Sequence, residues 1–310
     1  MQIYLPIAEM SVSLWLPLGL GAAVGYLSGL FGVGGGFLLT PLLIFIGVPP
    51  PVAVAASANQ VVASSVSAVY AHWRKGNVDF KMGGVLLIGG LAGSAFGAYL
   101  FSVLKRIGQL DAVIALSYVV ILGLIGSLMM TDSIRLFWRS RGGAVQPPMR
   151  RRRMHDHPWI RVLPFKLRFR KSQLYVSALL PVALGFVVGI LAAIMGVGAG
   201  FMLVPAMIYL LGMPTAVVIG TSLVQIIFVT ANVTMLHAIS TQTVDLTLVL
   251  LLVMGSVVGA QYGVRHGARL RGEQIRGLLA AVVLAVAVVL ATQLVIPPDD
   301  VYFLEAGSQR

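Results

Sequence analysis

The sequence predicts an all-α polytopic membrane protein with two inverted-topology repeats of about five helical segments each, interrupted by glycine-broken short or re-entrant helices. Three observations predict this fold. The 310 residues are 58% hydrophobic and only 10% charged, with a mean hydropathy of +0.94, whereas soluble domains carry about 25% charged residues. Several apolar stretches reach the roughly 20 residues that cross about 30 Å of hydrocarbon. The same series of motifs also occurs twice along the chain.

The apolar segments define the helices that we expect. Ten segments are present, at 12–31, 36–47, 51–73, 80–104, 110–131, 174–195, 200–211, 214–238, 244–266 and 274–296. The second and the seventh are too short for an ordinary span, and each follows a glycine cluster, so these two are expected to be broken helices that span or re-enter. The first ten residues contain Glu9 and no Lys or Arg, unlike a cleaved signal peptide. The first segment is therefore expected to be a retained helix.

The internal repeat is carried by motifs that recur in one order. The run GVGGGF at 32–37 matches GVGAGF at 196–201. Downstream, the following positions pair: Pro41 with Pro205, Ser57 with Ser222, Gln60 with Gln225, His72 with His237, Asp79 with Asp245, and Gly89, Gly93 and Gly97 with Gly255, Gly259 and Gly263. This order predicts a first transmembrane repeat at 1–131 and a second at 173–310. The linker 132–172 between them holds the Arg150–Arg153 run and is expected to be a polar connection with little core of its own.

The distribution of positive charge predicts the orientation. The linker 132–172 carries twelve Lys or Arg against two Asp. Together with the segments 74–81 and 265–276, which alternate crossings place on the same side, it gives nineteen basic residues on that side against three on the other. Basic loops stay in the cytoplasm, so we expect a multi-pass protein of the cell (inner) membrane, with a basic cytoplasmic linker and both termini outside. Five segments per repeat is an odd number, so the two repeats should run in opposite directions. The net charge of +12 is then explained by topology and by contact with membrane lipid, and no nucleic-acid partner is expected.

The two glycine clusters form the first candidate site. Its residues are Gly34, Gly35, Gly36 and Phe37 in the first repeat, and Gly198, Ala199, Gly200 and Phe201 in the second. Glycine lets the backbone leave helical dihedral angles, and a helix that restarts there presents free N–H groups and a dipole that favour an anion. Broken helices at matching positions mark the binding site in inverted-repeat transporters. The alternative is close helix packing by small residues, which we favour for Gly89, Gly93, Gly97 and their partners.

A polar stripe forms the second candidate site. Ser57, Gln60, Ser64 and Ser67 share one helix face, and Ser222, Gln225 and Asn232 repeat it. Thr221 lies at the same level on another face. Polar side chains in hydrocarbon need partners, so this face should point inward. It could coordinate a substrate or form hydrogen bonds between helices, and we favour the first role for Ser57, Gln60, Thr221, Ser222 and Gln225.

Few other residues offer chemistry. No Lys, Arg, Asp or Glu lies clearly in mid-membrane, and Asp79 and Asp245 are expected to be helix N-caps. His72 and His237 are candidates for coupling to a proton, with interfacial anchoring as the alternative. The chain has no cysteine and no Ser-His-Asp set that can be placed together. We expect no enzyme activity, no metal and no cofactor.

The paired Gly-Val-Gly-(Gly/Ala)-Gly-Phe-x-x-x-Pro runs, Ala56-Ser57 with Thr221-Ser222, and Val78-Asp79 with Val244-Asp245 resemble the sulfite exporter TauE/SafE family. The resemblance covers about 20–130 and 183–295, without the basic linker. It implies a secondary transporter that moves small sulfur-containing anions such as sulfite, sulfoacetate or related organosulfonates. We expect outward transport by alternating access, driven by protons or by a solute gradient. Ala199 interrupts the second glycine run and Ala56 stands opposite Thr221, so the half-sites are unequal if that threonine is a ligand. The alternatives are an anion channel or an importer of sulfur oxyanions on the same scaffold, and a membrane enzyme.

Overall fold

The computed structural model describes residues 2–141, 166–169, 171–172, 174–196, 198, 200–240, 243–267, 269–270 and 272–295. Over these residues the chain forms ten α-helices and two antiparallel β-hairpins. The first half comprises β1 (Gln2–Leu5), β2 (Met10–Ser13), α1 (Trp15–Phe31), α2 (Gly36–Phe45), α3 (Pro50–Arg74), α4 (Phe80–Ile107) and α5 (Leu110–Arg141). The second half comprises β3 (Lys166–Phe169), β4 (Leu174–Ser177), α6 (Leu179–Met195), α7 (Gly200–Tyr209), α8 (Thr215–Ser240), α9 (Leu246–Gly267) and α10 (Gly272–Val295).

The helices have the lengths and surfaces of a polytopic membrane protein. Within the described residues, five stretches are long and apolar enough to span a bilayer: α3, α4, the part Ala112–Asp132 of α5, the part Thr215–Ile239 of α8, and α9. Helices α1, α2, α6 and α7 and the stretch Gly277–Thr292 are apolar but shorter. Large apolar side chains, such as those of Tyr99 and Leu250, are exposed along the spans, which suits a lipid-facing surface. The predicted all-α polytopic class is confirmed.

The structure corrects the predicted starts of two segments. The sequence predicted helical segments at 12–31 and 174–195, but these segments begin in the second strand of a hairpin, and the helices start at Trp15 and Leu179. In each case a proline lies in the first turn of the helix, Pro17 or Pro181, where proline is tolerated because the first N–H groups have no helical acceptor. The four-residue strands MSVS and LYVS are apolar enough to merge with the helix in a hydropathy profile.

The linker 132–172 is also more ordered at its ends than predicted. It was expected to be a polar connection with little core of its own, but α5 continues to Arg141, and β3 and its turn lie between 166 and 172. Phe169 and Ser172 are fully buried there, because the hairpin packs on the start of α4, where it contacts Asp79 and Lys81. The Arg150–Arg153 run and the rest of 142–165 lie outside the described residues.

Every element of the first half has a counterpart in the second half, which begins 164 to 166 residues later for β1, β2 and α1 to α4. Ala68 of α3 and Ile219 of α8 belong to one buried hydrophobic cluster, and Val61 of α3 and Ile226 of α8 both lie against Gly34. The contacts therefore pair the end of α3 with the start of α8, and these two counterparts run antiparallel. Their opposite directions support the predicted inversion of the second repeat relative to the first.

The glycines at 89, 93, 97, 255, 259 and 263 lie where helices from different halves pack backbone to backbone. A Cβ at Gly93 would overlap the carbonyl oxygen of Phe186 in α6, and one at Gly259 would overlap that of Ala22 in α1. The same holds along both helix pairs, α4 with α6 and α9 with α1. Their predicted role in helix packing is confirmed, and each half contributes a helix to the other's packing.

Candidate functional site

Both predicted glycine breaks are present. Helix α1 ends at Phe31 and is capped by Gly32, which has φ +68° and donates its N–H to the Ser28 carbonyl. Gly34 and Gly35 also have positive φ angles, +87° and +79°, before α2 begins. In the second half, Gly196 and Gly198 both have φ +67° before α7 begins. Residues with a Cβ rarely adopt these angles, so the glycines allow the chain to end one helix and start the next within a few residues.

The two breaks meet at the centre of the structure. The rings of Phe37 and Phe201, the second residues of α2 and α7, have centroids 5.8 Å apart, and both are fully buried. A Cβ at Gly200 would overlap the carbonyl oxygen of Val33 in the opposite break. The side chain of Val61 lies against both Gly34 and Gly198. Ala199, also predicted in the site, lies outside the described residues.

The starts of α2 and α7 offer positive potential without a cation. The first N–H groups of a helix have no intrahelical acceptor, and the helix dipole adds partial positive charge at that end. Neither helix has an acidic residue in its first turn to offset this potential. Residues 34 to 37 and Gly200 are all buried, so the potential develops away from bulk water, where it is screened less.

Part of the polar stripe holds the breaks in place. Ser64 Oγ donates to the Gly34 carbonyl over 3.3 Å, and Ser222 Oγ donates to the Gly32 carbonyl over 3.2 Å. Ser67 Oγ and Asn232 Nδ2 bond to α9 and to α4 respectively, as the alternative of interhelical hydrogen bonding predicts. These side chains point inward as predicted, and they are engaged with the protein.

Thr221 is turned away from the breaks. Its Oγ1 accepts the backbone N–H of Asp79 over 3.0 Å, which ties α8 to the start of α4. Thr221 and Ser222, both predicted to coordinate substrate, therefore have protein partners in this structure.

A second part of the stripe is buried without hydrogen-bond partners. It comprises Ser57 Oγ, both polar atoms of the Gln60 amide, and Gln225 Oε1, on side chains that are at most 1% exposed. Ser65 Oγ, which was not predicted from the sequence, is also buried without a hydrogen-bond partner and lies near Gly34. A buried polar group left unpaired costs about 1–3 kcal/mol. These atoms can therefore bond a polar solute at no loss of protein hydrogen bonds.

The two histidines lie at opposite ends of the molecule, since each is near the C-terminal end of one of the antiparallel helices α3 and α8. His237 is fully buried, with Nε2 3.0 Å from the Ala193 carbonyl oxygen and its ring 4.3 Å from that of Phe101. His72 is half-buried and lines a cavity. The structure does not bring these two candidates for proton coupling together, and neither is among the side chains described above at the breaks.

The two aspartates cap helices as predicted, and each also binds a hairpin turn. Asp79 accepts the Met82 N–H at the start of α4, and its Oδ2 accepts the backbone N–H and the hydroxyl of Ser172 over 3.1 and 2.6 Å. Asp245 accepts the Leu248 N–H at the start of α9 and the Ile7 N–H of the other hairpin. Their role is structural. Among the described residues no group of three or more His, Cys, Asp or Glu could hold a metal ion.

Comparisons with known proteins agree with this architecture. Residues 17–290 match the family described as Sulfite exporter TauE/SafE. The "Probable membrane transporter protein YjnA" of Bacillus subtilis (strain 168) is 30% identical over 217 residues, which is 69% of this chain and 74% of the relative. YunE of the same organism, also named a probable membrane transporter protein, is 28% identical over 71% of this chain and 77% of its own length. A "Probable membrane transporter protein" of Xylella fastidiosa (strain Temecula1 / ATCC 700964) is 30% identical over 69% and 70% respectively. No solved structure gives a significant match.

Proposed function

The chain belongs to the sulfite exporter TauE/SafE family, and on that premise we propose that it is a secondary transporter that moves small sulfur-containing anions out of the cell. It is a multi-pass membrane protein, and the names of its family and relatives are those of transporters rather than enzymes. The observation that carries the proposal is the meeting of two broken helices beside buried polar atoms that have no partner. Its proposed substrates are sulfite, sulfoacetate and related organosulfonates.

The proposed binding site uses neutral donors. The anion lies against the starts of α2 and α7, where N–H groups and helix dipoles supply positive potential. The Gln60 Nε2 group and the hydroxyls of Ser57 and Ser65 donate hydrogen bonds to it, whereas the unpaired Gln225 Oε1 is an acceptor and bonds only a protonated oxygen of the substrate. A site without a fixed cation binds an anion while leaving it free to dissociate, as a carrier requires. It also suits sulfonates, whose several oxygens can each accept a hydrogen bond.

Transport follows from the relation between the two halves. Inverted repeats can exchange conformations around a site at mid-depth, so that it opens first to one side and then to the other. Each anionic charge moved outward gains about 2.3 kcal/mol per 100 mV of inside-negative potential, which favours export. The linker 132–172 and the ends at 74–81 and 265–276 lie in the cytoplasm in this proposal, and His72 and His237 remain the candidates for a coupled proton.

Flux measurements in proteoliposomes test the proposal. Purified protein should give saturable efflux of radiolabelled sulfite or sulfoacetate, with less competition from acetate than from a second sulfonate. The absence of saturable flux for every sulfur anion tried would overturn the proposed substrate class. Two alternatives give other results. A channel would show single-channel currents in a planar bilayer. An importer would accumulate the anion inside the vesicles against its gradient when the driving gradient is directed inward.

A further inference from the structure

One cavity of about 400 Å³ lies between the ends of α1, α3, α8 and α9. Its polar lining is His72 and Lys75 from the end of α3, Asn77 from the loop that follows, and Thr215 from the start of α8. Its volume lies in the range of ligand pockets, about 300–1,000 Å³. The cavity lies at the end of the molecule that carries the basic segments 74–81 and 265–276, which is the predicted cytoplasmic side.

One side chain, that of Ile219, belongs both to the lining of the cavity and to the surroundings of the first break. Ile219 lines the cavity, and its Cγ2 lies directly on Gly32 in the first break. One turn further along α8, Ser222 donates to the Gly32 carbonyl. The path from the cavity to the first break therefore runs past Ile219.

The matching place in the other half holds a large aromatic side chain. There His237 is fully buried against the ring of Phe101. The spacing of the repeated glycines in α4 and α9, 166 residues, aligns Phe101 with Gly267, which lines the cavity beside His72. One half thus has a phenylalanine where the other has no side chain.

The two breaks also differ in the atoms that pack against them. A Cβ added to Gly196 would lie only 2.7 Å from the Cα of Val54 in α3. The corresponding residue for Gly32 is Ile219. A Cβ added to Gly32 would lie 3.3 Å from the Ile219 Cα and nearer still to the Ile219 side chain. The nearest neighbours of Gly196 are thus backbone atoms of Val54, whereas the nearest neighbour of Gly32 is the Ile219 side chain.

We propose that this cavity is the entrance vestibule for the transported oxyanion on the predicted cytoplasmic side, and that Gly267 keeps it open while Phe101 fills the corresponding space on the other side. The inference rests on the proposed function and adds the route by which the anion enters. The ammonium of Lys75, the ring of His72, the Asn77 amide and the Thr215 hydroxyl supply donors for a sulfonate, sulfate or phosphate group. The same chemistry would accept a free anion or the phosphate of a lipid headgroup.

Single cysteines test the vestibule without a transport assay, because the chain has no cysteine of its own. Ile219→Cys and its repeat counterpart Val54→Cys are each reacted with a membrane-impermeant maleimide, in right-side-out and in inside-out vesicles. We expect Ile219→Cys to react in inside-out vesicles only, and Val54→Cys to remain unreactive from both sides. Sulfite itself adds to maleimides, so protection is measured with sulfoacetate, with chloride at equal ionic strength as the control.

A second substitution tests the role of Gly267. Gly267→Phe in the Ile219→Cys background should slow labelling by about tenfold, equivalent to about 1.4 kcal/mol. Gly267→Ala is the matched control, because its Cβ meets the Leu30 carbonyl oxygen at 3.1 Å without filling the cavity, and it should label at nearly the parent rate. Correct folding is checked for each variant by size-exclusion chromatography in detergent.

Several results would overturn the proposal. Equal labelling of Ile219→Cys and Val54→Cys from opposite sides would show that the cavity reflects one conformation and is not fixed by Gly267 and Phe101. Unchanged labelling in a folded Gly267→Phe variant would have the same consequence. Protection by phosphatidylglycerol in detergent but not by sulfoacetate would assign the cavity to lipid. Absent flux with the expected labelling pattern would instead count against the proposed function alone.

Discussion

Replacing Gln60 by methionine should make the protein more stable and less able to transport. The Gln60 side chain is fully buried in α3, and neither its Nε2 nor its Oε1 has a hydrogen-bond partner. Methionine has nearly the same volume, so the packing of the helix is kept. If the amide is kept for the anion, Gln60→Met removes a cost to folding and a ligand for the substrate at the same time.

The size of the effect follows from the two unpaired atoms. Each unpaired buried polar group costs about 1–3 kcal/mol. Gln60→Met removes both unpaired atoms at a small cost in repacking. We therefore expect the free energy of unfolding to rise by roughly 1–3 kcal/mol. Flux should fall by tenfold or more, since loss of one hydrogen bond to an ionic ligand is worth roughly 1.5–3 kcal/mol.

Ser64→Ala is the matched control. Ser64 is equally buried on the same helix, but its hydroxyl bonds to the Gly34 carbonyl and to Ser28, so alanine should destabilise the protein by about 1 kcal/mol. Stability is measured by thermal unfolding in detergent with tryptophan fluorescence, and transport by sulfoacetate efflux from proteoliposomes. A Gln60→Met variant that is less stable than the parent and transports at the parent rate would refute the reasoning.

Two further substitutions test the supports of the site. Asp79→Ala removes the acceptor of the Met82 N–H and of two donors from Ser172. It should lower the free energy of unfolding by roughly 3 kcal/mol or more, since hydrogen bonds to a charged group are worth about 1.5–3 kcal/mol each. Ser172→Ala should lower it by less, and a Ser172→Ala variant that melts below Asp79→Ala would contradict the assigned bonds. Gly200→Ala places a Cβ on the Val33 carbonyl and should destabilise by about 1–3 kcal/mol. Its control Gly19→Ala, in a helix with open space at the Cβ, should be neutral or stabilising; equal melting temperatures would count against the close approach of the two breaks.

The helices and their interruptions could be predicted from the sequence because both depend on local properties. Hydropathy over about 20 residues identifies a span wherever it lies. The breaks depend on positive φ angles at Gly34 and Gly198. Because such angles favour glycine, glycine clusters mark the breaks in the sequence. The repeat then indicated that the two clusters belong to one site, because the same motif stands at the same place in both halves.

The hairpins could not be predicted in this way. Each strand has four residues, too few for a period-two pattern to be distinguished from the apolar helix that follows. What fixes each hairpin is a contact distant in sequence, from Ser172 to Asp79, 93 residues away, and from Ile7 to Asp245, 238 residues away. The capping role of the aspartates was local and therefore predictable, whereas their second partners were not.

The membership of the site was predictable only in part. Helical periodicity placed Ser57, Gln60 and Ser64 on one face, but whether a hydroxyl is already bonded depends on which backbone carbonyl faces it. Ser64 meets the carbonyl of Gly34, whereas Ser65, about 80° around the helix from Ser57 at 100° per residue, meets no acceptor. The repeat spacing aligns Phe101 with Gly267, but only the three-dimensional contacts show that Phe101 lies against His237 and that Gly267 lines a cavity with His72.

A structure determined with selenite, an anomalously scattering analogue of sulfite, tests the central claim most directly. The account predicts an anomalous peak between the starts of α2 and α7, within hydrogen-bonding distance of Gln60 or Gln225, with Val61 displaced from between Gly34 and Gly198. Selenium bound only at Lys and Arg side chains on the surface, with the two breaks unchanged and in contact, would contradict it.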